Sequence, residues 1–162
     1  MTRHLRAMAL MAPIWGLIGI GAALAQDLSA RPGWVVQASD KPYEALIGAV
    51  KSATRANGMG VVTEAGPTGA AASRGITIPG NRVIGVFNND FAVRLLALST
   101  AAMIEAPIRF YVTENADGSA TLAYKTPSHV LAPYLDEGGA ELGDLAAALD
   151  ARFAAIAAAA LQ

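Results

Sequence analysis

The chain has 162 residues, with 12 Lys+Arg against 13 Asp+Glu, two histidines, no cysteine and 54% hydrophobic residues. The missing thiol excludes disulfides, Cys metal sites and thiol nucleophiles, and two histidines are too few for a multi-His metal cage. The near-neutral balance gives no basic surface for tracking phosphates, so nucleic acid is not an expected partner.

The first 25 residues have the three parts of a secretory signal: Arg3 and Arg6 with no acid, an uncharged apolar run from Ala7 to Ala23, and the small-x-small site Ala23-Leu24-Ala25 before Gln26. The alternative is an uncleaved anchor, since the uncharged stretch approaches the ~20 residues that span a bilayer. Pro13, Gly16, Gly19 and Gly21 weaken it as a span. The arginines are not adjacent and no Cys ends the run, so neither a twin-arginine signal nor a lipid-anchored form is supported. The expectation is a cleaved signal, residues 1–25, and one domain, residues 26–162. It would be periplasmic or secreted, with no stable membrane anchor after cleavage. Removing 25 of the 162 residues leaves 137, with ten basic residues against 13 acids, one histidine (His129) and one tryptophan (Trp34). A domain of that length buries roughly two-thirds of its unfolded surface, enough for a core to stand without disulfides.

Trp34 to Ser39 reads as a first strand. Ser39-Asp40 offers a helix cap with Pro42 in the first turn. Tyr43, Leu46, Ile47, Val50 and Ala53 recur at helical spacing up to the Asn57-Gly58 stop, predicting a helix over 40–56. Met59 to Glu64 reads as strand, and residues 65–75, rich in Gly, Ala and Thr, as a loop or one short helix. Arg82 to Phe87 is a compact apolar strand. Asn88-Asn89-Asp90 caps a helix with an apolar stripe of Phe91, Leu95, Leu98 and Ala102. Ile108, Phe110 and Val112 then alternate with Arg109, Tyr111 and Thr113. After the turn Glu114–Gly118, Leu122 and Tyr124 alternate with Thr121, Ala123 and Lys125, which is an antiparallel hairpin. Pro127 opens a short helical turn stopped by Pro133. Beyond Gly138-Gly139, Leu142, Leu145, Leu149, Phe153 and Ile156 make one stripe along a closing helix. At two heptads it suits packing on a sheet better than a coiled-coil seam.

The order β-α-β-β-α-β-β-α-α predicts an α+β fold: two layers, a mostly antiparallel sheet with helices packed on one face. A doubly wound fold would need β-α alternation to the end, which the hairpin interrupts.

The stretch RVIGVFNND, a helix, IEAPIRFYVTENADGSATLAYKTPSHVLAPY and a final amphipathic helix resemble the domain of unknown function 302 family, over about Tyr43 to Ala160. Phe87-Asn88-Asn89-Asp90 stands where that family has Phe-Gly-Asn-Pro. Many relatives carry an Asp-His pair after the second strand, whereas Thr63 to Thr68 here holds no His. The resemblance implies a small α+β domain, often a homodimer, and no agreed activity.

The chemistry is sparse. His129 is the one imaginable triad histidine, but there is no G-x-S-x-G elbow. It reads as an exposed residue of a helix start, with two alternatives: hydrogen bonding in a pocket, or axial ligation of haem or another metal with Met103 or Met59 opposite. Asn88-Asn89-Asp90 satisfies a helix start rather than binding an anion. The loop Gly66 to Gly75 lacks the G-K-[ST] of a P-loop. Glu64 and Glu105 are single acids with no partner at general acid–base spacing. Arg109, Tyr111 and Lys125 share one hairpin face, where cross-strand neighbours lie ~5–8 Å apart. They are either a solvated, salt-bridged face or a seat for a carboxylate or sulfo-anion. With no catalytic or metal constellation, the expectation is a non-catalytic ligand-binding or protein-interaction module using Arg109, Tyr111, Lys125 and His129. The alternative is a haem- or redox-associated protein in which His129 is a ligand.

Overall fold

The computed structural model describes residues 28–162; the segment read as a signal and its cleavage site lie outside the described residues. Five strands form one sheet: β1 (Trp34–Pro42), β2 (Gly60–Ala65), β3 (Asn81–Phe87), β4 (Ile108–Glu114) and β5 (Ser119–Lys125). The spatial order is β1-β5-β4-β3-β2, with every neighbouring pair antiparallel. The helices are α1 (Tyr43–Ala56), α2 (Thr68–Ala72), α3 (Asn89–Leu98), α4 (Pro127–Leu131) and α5 (Leu135–Leu161). This is the two-layer α+β arrangement that the element order predicts.

α1 and the C-terminal part of α5 cover one sheet face. Their apolar stripes meet Ile84, Val86, Phe110, Val112 and Leu122 in a continuous core. At its centre the Phe110 and Phe153 rings stack at 4.7 Å, and Tyr124 meets Phe110 edge-on at 5.2 Å. Burial of Tyr124 raises its phenol pKa, and Asp150 adds to the effect. A second cluster joins Leu95 of α3, Ala102, Leu131 of α4 and Leu142, Leu145 and Leu149 of α5. The whole closing stripe is thus spent on the fold, as its two-heptad length suggests.

Two local boundaries differ from the sequence reading. β1 runs on to Pro42 through a register shift between Ser39 and Pro42, so α1 starts at Tyr43 and the expected Ser39-Asp40 cap is not its start. The cause is tertiary: Ser39 and Pro42 have partners on β5 (Ala120 and Ser119), and ladder pairing overrides local capping preference. Residues 65–75, read as a loop or one short helix, hold the short α2. Ala102 shares the stripe's cluster but belongs to a separate 3-10 turn, Ala102–Glu105. By contrast, Asn88 caps α3 as expected, its Oδ1 accepting from the Phe91 N–H at 3.1 Å. In α5, Gly139 (φ 56°, ψ −145°) breaks the helix where Gly138-Gly139 predicts it. Among the described residues no helix is long and apolar enough to cross a membrane.

Candidate functional site

The helices cover one face of the sheet, and the other face carries what chemistry the hairpin offers. The turn between β4 and β5 is built by Asp117, whose Oδ1 accepts from the Ser119 N–H at 3.0 Å and its hydroxyl at 2.6 Å, and by Gly118 at φ 83°. These bonds hold the Asp117 carboxyl below its ordinary pKa. The turn sets the register whose last pair, Phe110 with Tyr124, lies on the core side; Arg109 and Lys125, one residue beyond that pair, extend the same register on the outer side.

The outer face can then be read in rows across the strands. Lys125 pairs with Trp34 on β1, and Arg109 with Gly85 on β3, itself opposite Thr63 on β2. The first row is therefore Trp34, Lys125, Arg109, Gly85 and Thr63. The second is Val36, Ala123, Tyr111, Val83 and Ala65, and the third holds Ala38, Thr121, Thr113 and Asn81. Gly85 is required: a Cβ there would collide with Thr63 Oγ1 and the Pro107 ring. Ala123 is fully buried on this face between Val36 and Tyr111.

An open depression of about 530 Å3 runs over these rows, lined among others by Trp34, Val83, Glu105, Arg109, Tyr111 and Lys125. At its cationic end Lys125 Nζ lies 5.7 Å from the Trp34 ring centroid, within cation–π range; the Arg31 guanidinium, which does not line the depression, lies 5.6 Å from the same centroid. Among the described residues the ion pairs are Lys51–Glu64 and Arg82–Glu64, so none of Arg31, Arg109 and Lys125 has a carboxylate at ion-pair distance. Of the expected alternatives for this face, solvated or salt-bridged against ligand seat, the salt-bridged form is not what these side chains adopt. Glu105, on the same wall, accepts the Tyr134 O–H at 2.8 Å, and that bond raises the tyrosine's pKa.

Arg109, Tyr111 and Lys125 all line the depression, and His129 is not among its lining residues. His129 is exposed, its ring lies against Gly33, and its N–H meets the capping Thr126 hydroxyl at 3.3 Å. It is the neighbouring Val130 that reaches the depression. Met59 belongs to the first core cluster and Met103 packs against the second. Among the described residues no group of three or more His, Asp or Glu is placed to hold a metal ion.

Trp34 lines the depression although strand-by-strand reading did not assign it to this face, and Glu105 lines it too. Trp34 arrives by a pairing across some ninety residues of sequence, and only Lys125's place at a strand end hints at it. A second cavity, about 40 Å3 between the two core clusters, is lined among others by Met59, Phe87, Phe91 and Leu95 and has room for a few waters. On the core side, the Tyr43 hydroxyl and Arg82 Nε are buried without hydrogen bonds. Burial raises the Tyr43 pKa against the opposing pull of the nearby Arg82 charge.

The Domain of unknown function DUF302 family model matches residues 35–160. A solved structure of an uncharacterized conserved protein DUF302 from Bacillus stearothermophilus is similar at a TM-score of 0.70 and 17% sequence identity, covering 80% of this chain and 98% of that one. None of the curated proteins matches the chain. The match spans both edge strands, the hairpin and most of the closing helix, and the chain belongs to the DUF302 family.

Proposed function

We propose that this protein is an exported, non-catalytic binding module that seats a small organic anion on the outer face of its sheet, between Arg109 and Lys125. One observation carries the reading. Two cations on neighbouring strands, one residue beyond the last β4–β5 pair, line one depression with no carboxylate at ion-pair distance among the described residues. Like charges directly opposite in a sheet are destabilising. An anion between them turns that repulsion into attraction, and the planar guanidinium can grip a carboxylate by two N–H groups. Tyr111 and Val83 supply an apolar bed beside the charges.

Export is supported by the charged start, apolar run and small-x-small site of residues 1–25. The non-catalytic reading is supported by the absence of cysteine from the sequence and by His129 standing apart from the depression. Pairing of two copies belongs to the same proposal. It is supported by α3, whose outward Val93 and Leu96 are 61% and 49% exposed, a costly display of apolar surface for a lone chain.

The test is a titration of the full chain with a panel of benzoate, benzenesulfonate and phenyl phosphate, repeated on the Arg109→Ala, Lys125→Ala double variant. At least one anion is expected to bind saturably to the native protein and not to the variant. Equal binding by both proteins overturns the site.

A further inference from the structure

Resting on that reading of the outer face, we infer that the ligand is an elongated aromatic monocarboxylate with a hydrogen-bonding group at its far end. Charge comes first. Glu105 lines the depression along with Arg109 and Lys125, and its carboxylate accepts the Tyr134 hydroxyl. Among the residues that line the depression, these two cations and one anion leave a single positive charge, Arg31 lying outside the lining. A monoanion neutralises it. A phosphomonoester, near −2 above pH 7, would leave a net negative charge facing Glu105.

Shape follows from the rows. The cations occupy the first row, Tyr111 and Val83 the second, and Asn81 the third. Asn81 stands opposite Thr113, four residues along β4 from Arg109. At about 3.3 Å per residue the head and the far end are ~13 Å apart, too far for a single benzoate ring to bridge. The Asn81 amide nitrogen donates to the Pro79 carbonyl at 3.2 Å, and its Oδ1 has no hydrogen bond among the described residues, leaving an acceptor for a ligand donor. The middle row is apolar apart from the Tyr111 hydroxyl, and its ring favours a flat aromatic body by offset stacking. Trp34 is not that platform, because Lys125 and Arg31 already occupy its neighbourhood.

The experiment is isothermal titration calorimetry of the full chain at low salt and pH 8 with four probes: 4-hydroxycinnamate, cinnamate, benzoate and phenyl phosphate. 4-Hydroxycinnamate is expected to bind at least tenfold more tightly than benzoate or phenyl phosphate. Asn81→Ala should erase its advantage over cinnamate, and Glu105→Gln should tighten phenyl phosphate several-fold more than it tightens 4-hydroxycinnamate. Circular dichroism of each variant confirms the fold. If phenyl phosphate binds as tightly as 4-hydroxycinnamate, and the Arg109→Ala, Lys125→Ala variant loses both, the ligand class is wrong while the anion seat stands. If no probe binds the native protein, both fall.

Discussion

Lys125 and Trp34 are direct cross-strand partners between β5 and β1, and the lysine Nζ stands 5.7 Å from the indole centroid. The pair ties the first strand of the domain to the last and keeps the Lys125 ammonium over the outer face. At an exposed site such a contact contributes about 0.5–1 kcal/mol. A double-mutant cycle of Lys125→Met with Trp34→Leu, read by urea denaturation, is expected to show a coupling of that size. A coupling indistinguishable from zero would mean that the indole does not hold the cation.

Gly33 sits at φ 72°, and a Cβ there would run into the His129 ring. The Gly33 carbonyl accepts the Thr126 N–H at 2.8 Å, so the entry to β1 is tied to the start of α4 at this point. Gly33→Ala should cost more than the ~1 kcal/mol of a left-handed alanine alone. In a His129→Ala background the steric part should disappear and the backbone part remain. Equal costs in the two backgrounds, measured by thermal unfolding, would show that His129 is not what confines Gly33.

Glu64 bridges Lys51 of α1 and Arg82 of β3, and its pKa is lowered, chiefly by the hydrogen bond from Lys51 and then by the two positive charges, against an opposing effect of burial. A carboxyl lowered in the folded state adds stability above its unfolded pKa, and that stability drains away as the pH falls through the folded value. Stability of the native chain should therefore decline below about pH 4.3, the ordinary range of Glu. In Glu64→Gln this acid limb should be shallower, though not flat, because Asp117 is lowered too. Parallel pH profiles for the two proteins would contradict the assignment.

The assembly proposal is tested on α3. Because Val93 and Leu96 would be covered in the pair, replacing both with Asp should lower the unfolding midpoint and remove its dependence on protein concentration. Native mass spectrometry should show the variant as a monomer and the native chain as a dimer. A native chain that runs as a monomer at micromolar concentration ends that part of the account.

Much of the architecture was legible because neighbouring residues encode it. The 2-residue alternation of Ile108 to Val112 and Leu122 to Tyr124 marks the hairpin, and the same alternation puts Arg109, Tyr111 and Lys125 on one side. The 3- and 4-residue steps from Leu142 to Ile156 mark α5, and all five residues are buried. What was hidden depends on pairing between distant segments. The extension of β1 to Pro42 is imposed by β5, and nothing near Ser39-Asp40 announces it. The site shows the same division. Its cations could be read from the hairpin alone, but Trp34 joins them only through the β1–β5 pairing and Glu105 only through the turn before β4. His129, singled out as the one imidazole of the domain, lies with its ring against Gly33 at the start of α4.

The most direct test of the central claim is a 15N–1H chemical-shift titration of the full chain with an aromatic carboxylate at low ionic strength, since an open charged site is screened by salt. The account predicts saturable shifts at Arg109, Tyr111, Lys125 and the Trp34 indole, none at Val93 or Leu96, and about tenfold weaker binding for each of Arg109→Ala and Lys125→Ala, as loss of one charged hydrogen bond implies. Shifts confined to the helices, or undiminished binding in both variants, would contradict it.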